Sequence, residues 1–242
     1  MTRYKTLFMV VLFMLVFPAA AVLAGNQGPH QNHYGNHGPH NNKCPWEPFG
    51  ETSSVIELTS ACAVYPDCLS DGSFTYSGVS FIYNGSPFKK KFGFLKFQDI
   101  YKLSTDYNVT DTDCGGGSPR FSIELPNVGG TLCSIPGDSC SIFVYLGPYP
   151  NYTGCAPGWQ SSGNLIESAD PIFDTSQLAG GTFYDSYGNA LALAGPVKVL
   201  GIDLVVDGGW TNPGRGQDIL VNNVMVNNFT LNTSGSGGLC DD

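Results

Sequence analysis

Histidine is confined to His30, His33, His37 and His40, and no imidazole occurs beyond them. A folded domain without histidine cannot assemble a Ser-His-Asp triad, a Cys-His pair or a His-ligated catalytic zinc. Charge is scarce too: charged residues make up 13% of the chain, and 20 Asp plus Glu outnumber 11 Lys plus Arg, for a formal charge of −9. That balance argues against a nucleic-acid partner. No CxxC pair or Cys/His alternation marks a zinc site. Beyond the apolar run at 7–18, nothing is apolar for long enough to cross a bilayer.

What is present begins with an export signature. Met-Thr-Arg-Tyr-Lys, the apolar run and Ala19-Ala20-Ala21-Val22-Leu23-Ala24 have the layout of a secretory signal, with cleavage expected after Ala24. An uncleaved membrane anchor is the alternative. Cleavage removes Arg3 and Lys5 and no acid, so the mature chain is more acidic still. Residues 25–43 are rich in Gly, Asn and His and offer nothing to bury, so this tail is expected to be disordered. Its four histidines have two readings, a soft site for copper, zinc or nickel or a polar spacer. The spacer is preferred, because the spacing is irregular and no carboxylate or thiol flanks it.

Residues 44–242 read as one domain. The segment 199–227 sets its class: Ile202, Leu204 and Val206 alternate with Asp203, Val205 and Asp207, the period of a strand with one buried face. Turn chemistry follows at Gly208-Gly209 and 211–214, then a second β-branched run from Ile219. There Ile219 and Val221 keep one parity and Val224 and Val226 the other. One face stays apolar only if a β-bulge near Asn222-Asn223 takes up an extra residue. Further strands are expected at 74–83, 120–125 and 141–146, and a helix of one to three turns within 182–194, ending at Gly195-Pro196. Segment 55–68 suits either a short helix or a strand. Residues 147–163 form a long loop rich in Pro, Tyr, Gly and Asn. Lys89, Lys90 and Lys91 read as edge-strand charges that block edge pairing, or as a patch for an anionic polymer. Short strands, turn clusters and a single helix make an antiparallel all-β sandwich the expected fold.

Eight cysteines follow the signal: Cys44, Cys62, Cys68, Cys114, Cys133, Cys140, Cys155 and Cys240. An even count behind an export signal implies a disulfide framework. Cys62–Cys68 and Cys133–Cys140 are the local candidates, and Cys240 would tie down the C-terminus. Sequons occur at Asn84, Asn108, Asn151, Asn228 and Asn232.

The runs TDYNVTDTDCGGGSPRFSIEL (105–125), FVYLGPYPNYTGC (143–155), GWQSSGNLI (158–166) and DTSQLAGGTFYDSYGNALAL (174–193), with VVDGGW and ILVNNVMVN behind them, resemble a poorly characterised domain of secreted microbial proteins. The resemblance covers roughly 90 to 230. It implies an extracellular jelly-roll-like sandwich, similar in outline to lectin and carbohydrate-binding sandwiches, and no established activity. Related sequences often carry Asp where this chain has Asn222, which weighs against an ion-binding role there.

Three candidate chemistries remain. Asp106, Asp111 and Asp113 precede a Gly-rich loop, the donor chemistry of a structural calcium, although the EF-hand spacing and its terminal Glu are missing. A solvated loop pinned by Cys114 is the plainer reading. Tyr149, Tyr152 and Trp159 share the long loop with Asn151 and Gln160, so the loop end, rather than a sheet face, is expected to bind sugar rings, the alternative being that each Trp packs in the core. Paired carboxylates could hydrolyse glycosidic bonds, but nothing singles out a pair. The reading that follows is a secreted, non-catalytic binder of a glycan or other extracellular surface component, with no nucleic-acid partner. A self-associating matrix subunit and a glycan-active enzyme are the alternatives. Loss of one native bridge typically costs roughly 2–5 kcal/mol. Thiol titration of the denatured, unreduced mature protein should therefore find no reactive thiol, and two or more per chain would refute the framework.

Overall fold

The computed structural model describes residues 46–50, 52–54, 57–60, 76–81, 95–111, 113–115, 117–207 and 217–231. The signal at 1–24, the histidine tail at 25–43, Cys44, Cys62, Cys68, Cys240, the lysines at 89–91, Trp210, and the sequons at Asn84 and Asn232 lie outside them. No described helix is long and apolar enough to cross a membrane.

The fold is an all-β sandwich of two antiparallel sheets. Twelve strands are described: β1 (Trp46–Gly50), β2 (Thr52–Ser54), β3 (Glu57–Ser60), β4 (Ser77–Phe81), β5 (Leu103–Asp111), β6 (Arg120–Pro126), β7 (Ser139–Tyr145), β8 (Gln160–Ser161), β9 (Phe173–Asp174), β10 (Gly201–Val206), β11 (Gln217–Val226) and β12 (Phe229–Leu231). Sheet A has the order β1-β4-β10-β6-β7-β9, and sheet B the order β2-β3-β11-β5-β8, with β12 paired to β11. Segment 55–68 therefore contributes a strand, β3.

Alternation decides what each strand buries. Ile202, Leu204 and Val206 of β10 are fully buried, as are Phe121, Ile123 and Leu125 of β6 and Ile142 and Val144 of β7. Leu103, Ile219, Val221, Val224 and Val226 close the core from sheet B. The bulge in β11 lies where the parity change demands it. Its register against β5 shifts between Asn222 and Met225, and Asn223 takes up the extra residue at φ 51, a left-handed conformation that Asn tolerates better than β-branched residues.

The helix α1 (Tyr187–Ala194) starts at Ser186, whose hydroxyl accepts the Asn189 N–H at 3.2 Å. It ends at Gly195, where a Cβ would meet the Leu191 carbonyl oxygen at 2.6 Å. Ala190 and Ala194 are its buried residues, so the helix packs close with small side chains.

One expectation needs correcting. Asp106, Asp111 and Asp113 read as part of a solvated loop pinned by Cys114. Asp106 and Asp111 lie instead in the long strand β5, hydrogen-bonded between β11 and β8, because Leu103, Thr105 and Tyr107 supply a buried alternating face.

A polar network crosses the interior at one end of the sandwich. Arg120 of β6 forms a bidentate ion pair with Asp207, just past β10, and both side chains are almost fully buried. The guanidinium lies 4.6 Å from the Phe143 ring centroid. The Ser118 hydroxyl accepts the Asp207 N–H at 3.0 Å and donates to Gln217 Oε1 at 2.7 Å, and Gln217 Nε2 donates to the Asp113 carbonyl at 2.7 Å. Removing one partner of a buried pair strands the other charge, at a cost of about 3–5 kcal/mol. Asp207→Ala should lower stability by that amount in denaturant unfolding. A loss below about 1 kcal/mol would mean that water reaches the guanidinium.

Candidate functional site

The sequence-predicted ligand residues fall into two groups. Trp159 and Gln160 line an open depression of about 440 Å³ together with Asp106, Ser161 and Asn222. Asn222 and Ser161 are the register partners of Asp106 on its two neighbouring strands, so an amide, a carboxylate and a hydroxyl form one row across β11, β5 and β8. Their inward-facing neighbours Thr105, Tyr107 and Val221 are buried, which puts the row on the outer face of sheet B. Trp159, two residues before Ser161 and 52% exposed, stands at the rim.

The bulge builds this floor. Asn223 Nδ2 donates to Asp106 Oδ2 at 2.6 Å, and Asn222 Oδ1 accepts the Asn223 N–H at 2.9 Å. Both hydrogen bonds depend on the left-handed turn at Asn223, so the side chains facing the depression are held before any ligand arrives. No basic residue lines it, and between Arg120 and Lys198 the sequence contains neither Lys nor Arg. One carboxylate, Asp106, lines it, whereas acid–base hydrolysis of a glycoside uses two.

The loop that carries Trp159 is tied down in its middle. Cys114 and Cys155 form a disulfide across 41 residues, and the Asp113 carboxylate accepts the N–H groups of Gly154 and Cys155 at 2.8 and 2.9 Å. Cys133–Cys140, the short-range pairing expected from spacing, is also formed, and among the described residues no cysteine is free.

Tyr149, Asn151 and Tyr152 lie elsewhere. Tyr152 is buried, contrary to the expectation of an exposed ligand residue: its hydroxyl donates to the Pro171 carbonyl at 2.6 Å and its ring packs against Tyr145, Tyr149 and Tyr184. Tyr149 and Asn151 are exposed. The site on sheet B is thus a sheet-face site with a loop-borne rim, where a loop end had been expected. Asp106, Ser161 and Asn222 belong to it through strand register, which the alternation of 103–107 could have signalled.

The three aspartates proposed for calcium do not meet. Asp106 faces outward in mid-strand, Asp111 ends β5 as the register partner of Asp218, and Asp113 turns to the loop amides. Among the described residues the metal-type cluster that does form is Asp113 with Cys114 and Cys155, whose sulfurs are bonded to each other.

No protein-family model, curated protein or solved structure matches the chain.

Burial raises the Tyr145 phenol far above its ordinary value, helped by the charge of Asp174 and the hydrogen bond to it. Tyr152 is pushed up to about 12, again chiefly by burial and then by Tyr184, Tyr149, Asp170 and Asp174. An unfolded tyrosine ionises near 10, so above that pH the folded state holds these protons more tightly than the unfolded one. Stability is then lost as pH rises from about 10 towards 12. Unfolding monitored across this range should decline less steeply in Tyr145→Phe than in the parent. Equal slopes would show that the phenol is open to water.

Proposed function

We propose that the folded domain is a non-catalytic binding module for a neutral glycan, acting outside the cell. The observation that carries this reading is Trp159, half exposed at the rim of a depression floored by the Asn222-Asp106-Ser161 row. A pyranose ring presents C–H groups to an aromatic face and hydroxyls to carboxylate, amide and hydroxyl partners, and this arrangement offers both kinds of contact side by side. The lack of lining cations favours a neutral sugar over a sulfated or uronic one. Two disulfides and the export signature favour an oxidising, extracellular setting. A single lining carboxylate favours binding over hydrolysis.

Affinity electrophoresis through gels containing β-glucan, mannan or xylan tests the reading. The mature protein should be retarded by at least one of them. Trp159→Ala should weaken that retention by at least about tenfold, equivalent to about 1.4 kcal/mol, while leaving the melting temperature nearly unchanged. Retention that the substitution leaves undiminished, or a parent protein that none of the three retards, would refute it.

A further inference from the structure

A second aromatic surface stands on the opposite side of the sandwich, and the depression described above does not use it. Tyr145 takes an outward position of β7, alternating with buried Val144 and Ile142, and its ring packs 4.6 Å from Tyr152. Tyr184 stacks on Tyr152 at 5.6 Å with an interplanar angle of 26°, and Tyr149 meets it edge-on at 6.3 Å. The stack starts at an anchored ring and ends in solvent. Tyr145 donates to Asp174, Tyr152 donates to the Pro171 carbonyl, and Tyr184 and Tyr149 are 60% and 49% exposed. Exposed Asn151 precedes Tyr152 in the chain, exposed Asp170 lies close enough to raise the Tyr152 phenol's pKa, and residues 121–197 contain neither Lys nor Arg.

We propose that this tyrosine stack is a second platform for a neutral sugar ring and that, with the Trp159 depression on the other face, it lets one chain bridge two polysaccharide strands. The proposal rests on the reading of the Trp159 site given above. The two surfaces share a construction: exposed ring faces and uncharged or acidic hydrogen-bonding neighbours, with Arg120, the register partner of Tyr145, buried and paired to Asp207. They also share a connection. The loop at 147–163 leaves sheet A at β7 carrying Tyr149 and Tyr152 and reaches sheet B at β8 behind Trp159, so it crosses the edge of the sandwich between them. The Cys114–Cys155 disulfide and the two amides held by Asp113 fix that crossing at its middle. Two sites held on opposite outer faces cannot serve one short oligosaccharide. They suit two chains, and the gain is avidity towards a polymer array.

Calorimetry with the hexasaccharide of whichever polysaccharide retards the protein should give two sites per chain. Mixing with the polymer itself should give turbidity that rises and then falls as protein is added in excess. Tyr184→Ala, and separately Tyr149→Ala, should remove one site and reduce the turbidity at least tenfold while leaving Trp159-dependent retention in place. Trp159→Ala should remove the other. A single site that disappears with Trp159→Ala and ignores both tyrosine substitutions overturns the bridging alone. A single site lost with the tyrosines but not with Trp159, or no binding at all, overturns both readings. Both tyrosines are largely exposed, and unchanged melting temperatures separate lost contacts from lost folding.

Discussion

The buried Arg120–Asp207 pair is the constraint on which the site end of this sandwich depends. A guanidinium and a carboxylate removed from water must pair closely, and because Arg120 Nε is buried with no hydrogen-bond partner among the described residues, the two bonds to Asp207 carry that requirement. The groups around the pair belong to both layers. Ser118 leads into β6 of sheet A, Gln217 opens β11 of sheet B, and the same hydroxyl serves Asp207 and Gln217. Gln217 in turn holds the carbonyl of Asp113, so a hydrogen-bonded chain runs from the backbone of Asp207 to the start of the cross-linked loop. Phe143 covers the guanidinium, which places Arg120 on sheet A's outer side with its charge desolvated.

From Asp113 the chain of dependence runs to the side chains of the candidate site. Its carboxylate caps two loop amides, its neighbour Cys114 makes the bond to Cys155, and four residues further along stands Trp159. A disulfide closing a long loop restricts the unfolded chain. Its geometric effect in the folded state matters more here: a proline-rich loop that would otherwise wander becomes a strap between the two sheet edges. The chain's second described disulfide, Cys133–Cys140, closes only seven residues and organises the hairpin between β6 and β7.

Much of this fold was legible, and the reason is periodicity. Ile202, Leu204 and Val206 repeat every second residue with no competing signal, and they are buried without exception. The parity change at Asn222-Asn223 has one economical solution, the bulge that forms. The helix α1 ends at Gly195, where the turn chemistry puts its end, and two cysteines seven apart are within easy reach of each other. What stayed hidden depends on partners distant in sequence. β5 is not named among the expected strands because Asp106, Asn108 and Asp111 obscure a buried face of Leu103, Thr105 and Tyr107. Cys114–Cys155 spans 41 residues, too many for spacing to select it. Tyr152 looks like a platform residue in a polar loop, and only the folded chain brings Tyr145, Tyr184 and the Pro171 carbonyl around it. Trp159 could be picked out from its loop, whereas Asp106, Ser161 and Asn222 come together from three strands, for which the alternation of 103–107 is the one signal in the sequence.

The bulge also explains why the floor of the depression forms on a sheet face instead of at a loop tip. Keeping the inner face of β11 apolar on both sides of the parity change requires one residue in the left-handed region, and Asn is suited to it. Once Asn223 occupies that position, its amide reaches Asp106 and orients a carboxylate that would otherwise rotate freely in solvent. A packing requirement on the inside thus creates a fixed polar row on the outside. The same face carries a further acidic group: Asp218, whose pKa is raised first by burial and then by Asp111 and Glu57. Its carboxylate is costly to ionise there, and further negative charge would raise that cost. The outer face of sheet B thus sets acidic and uncharged hydrogen-bonding groups beside an exposed indole.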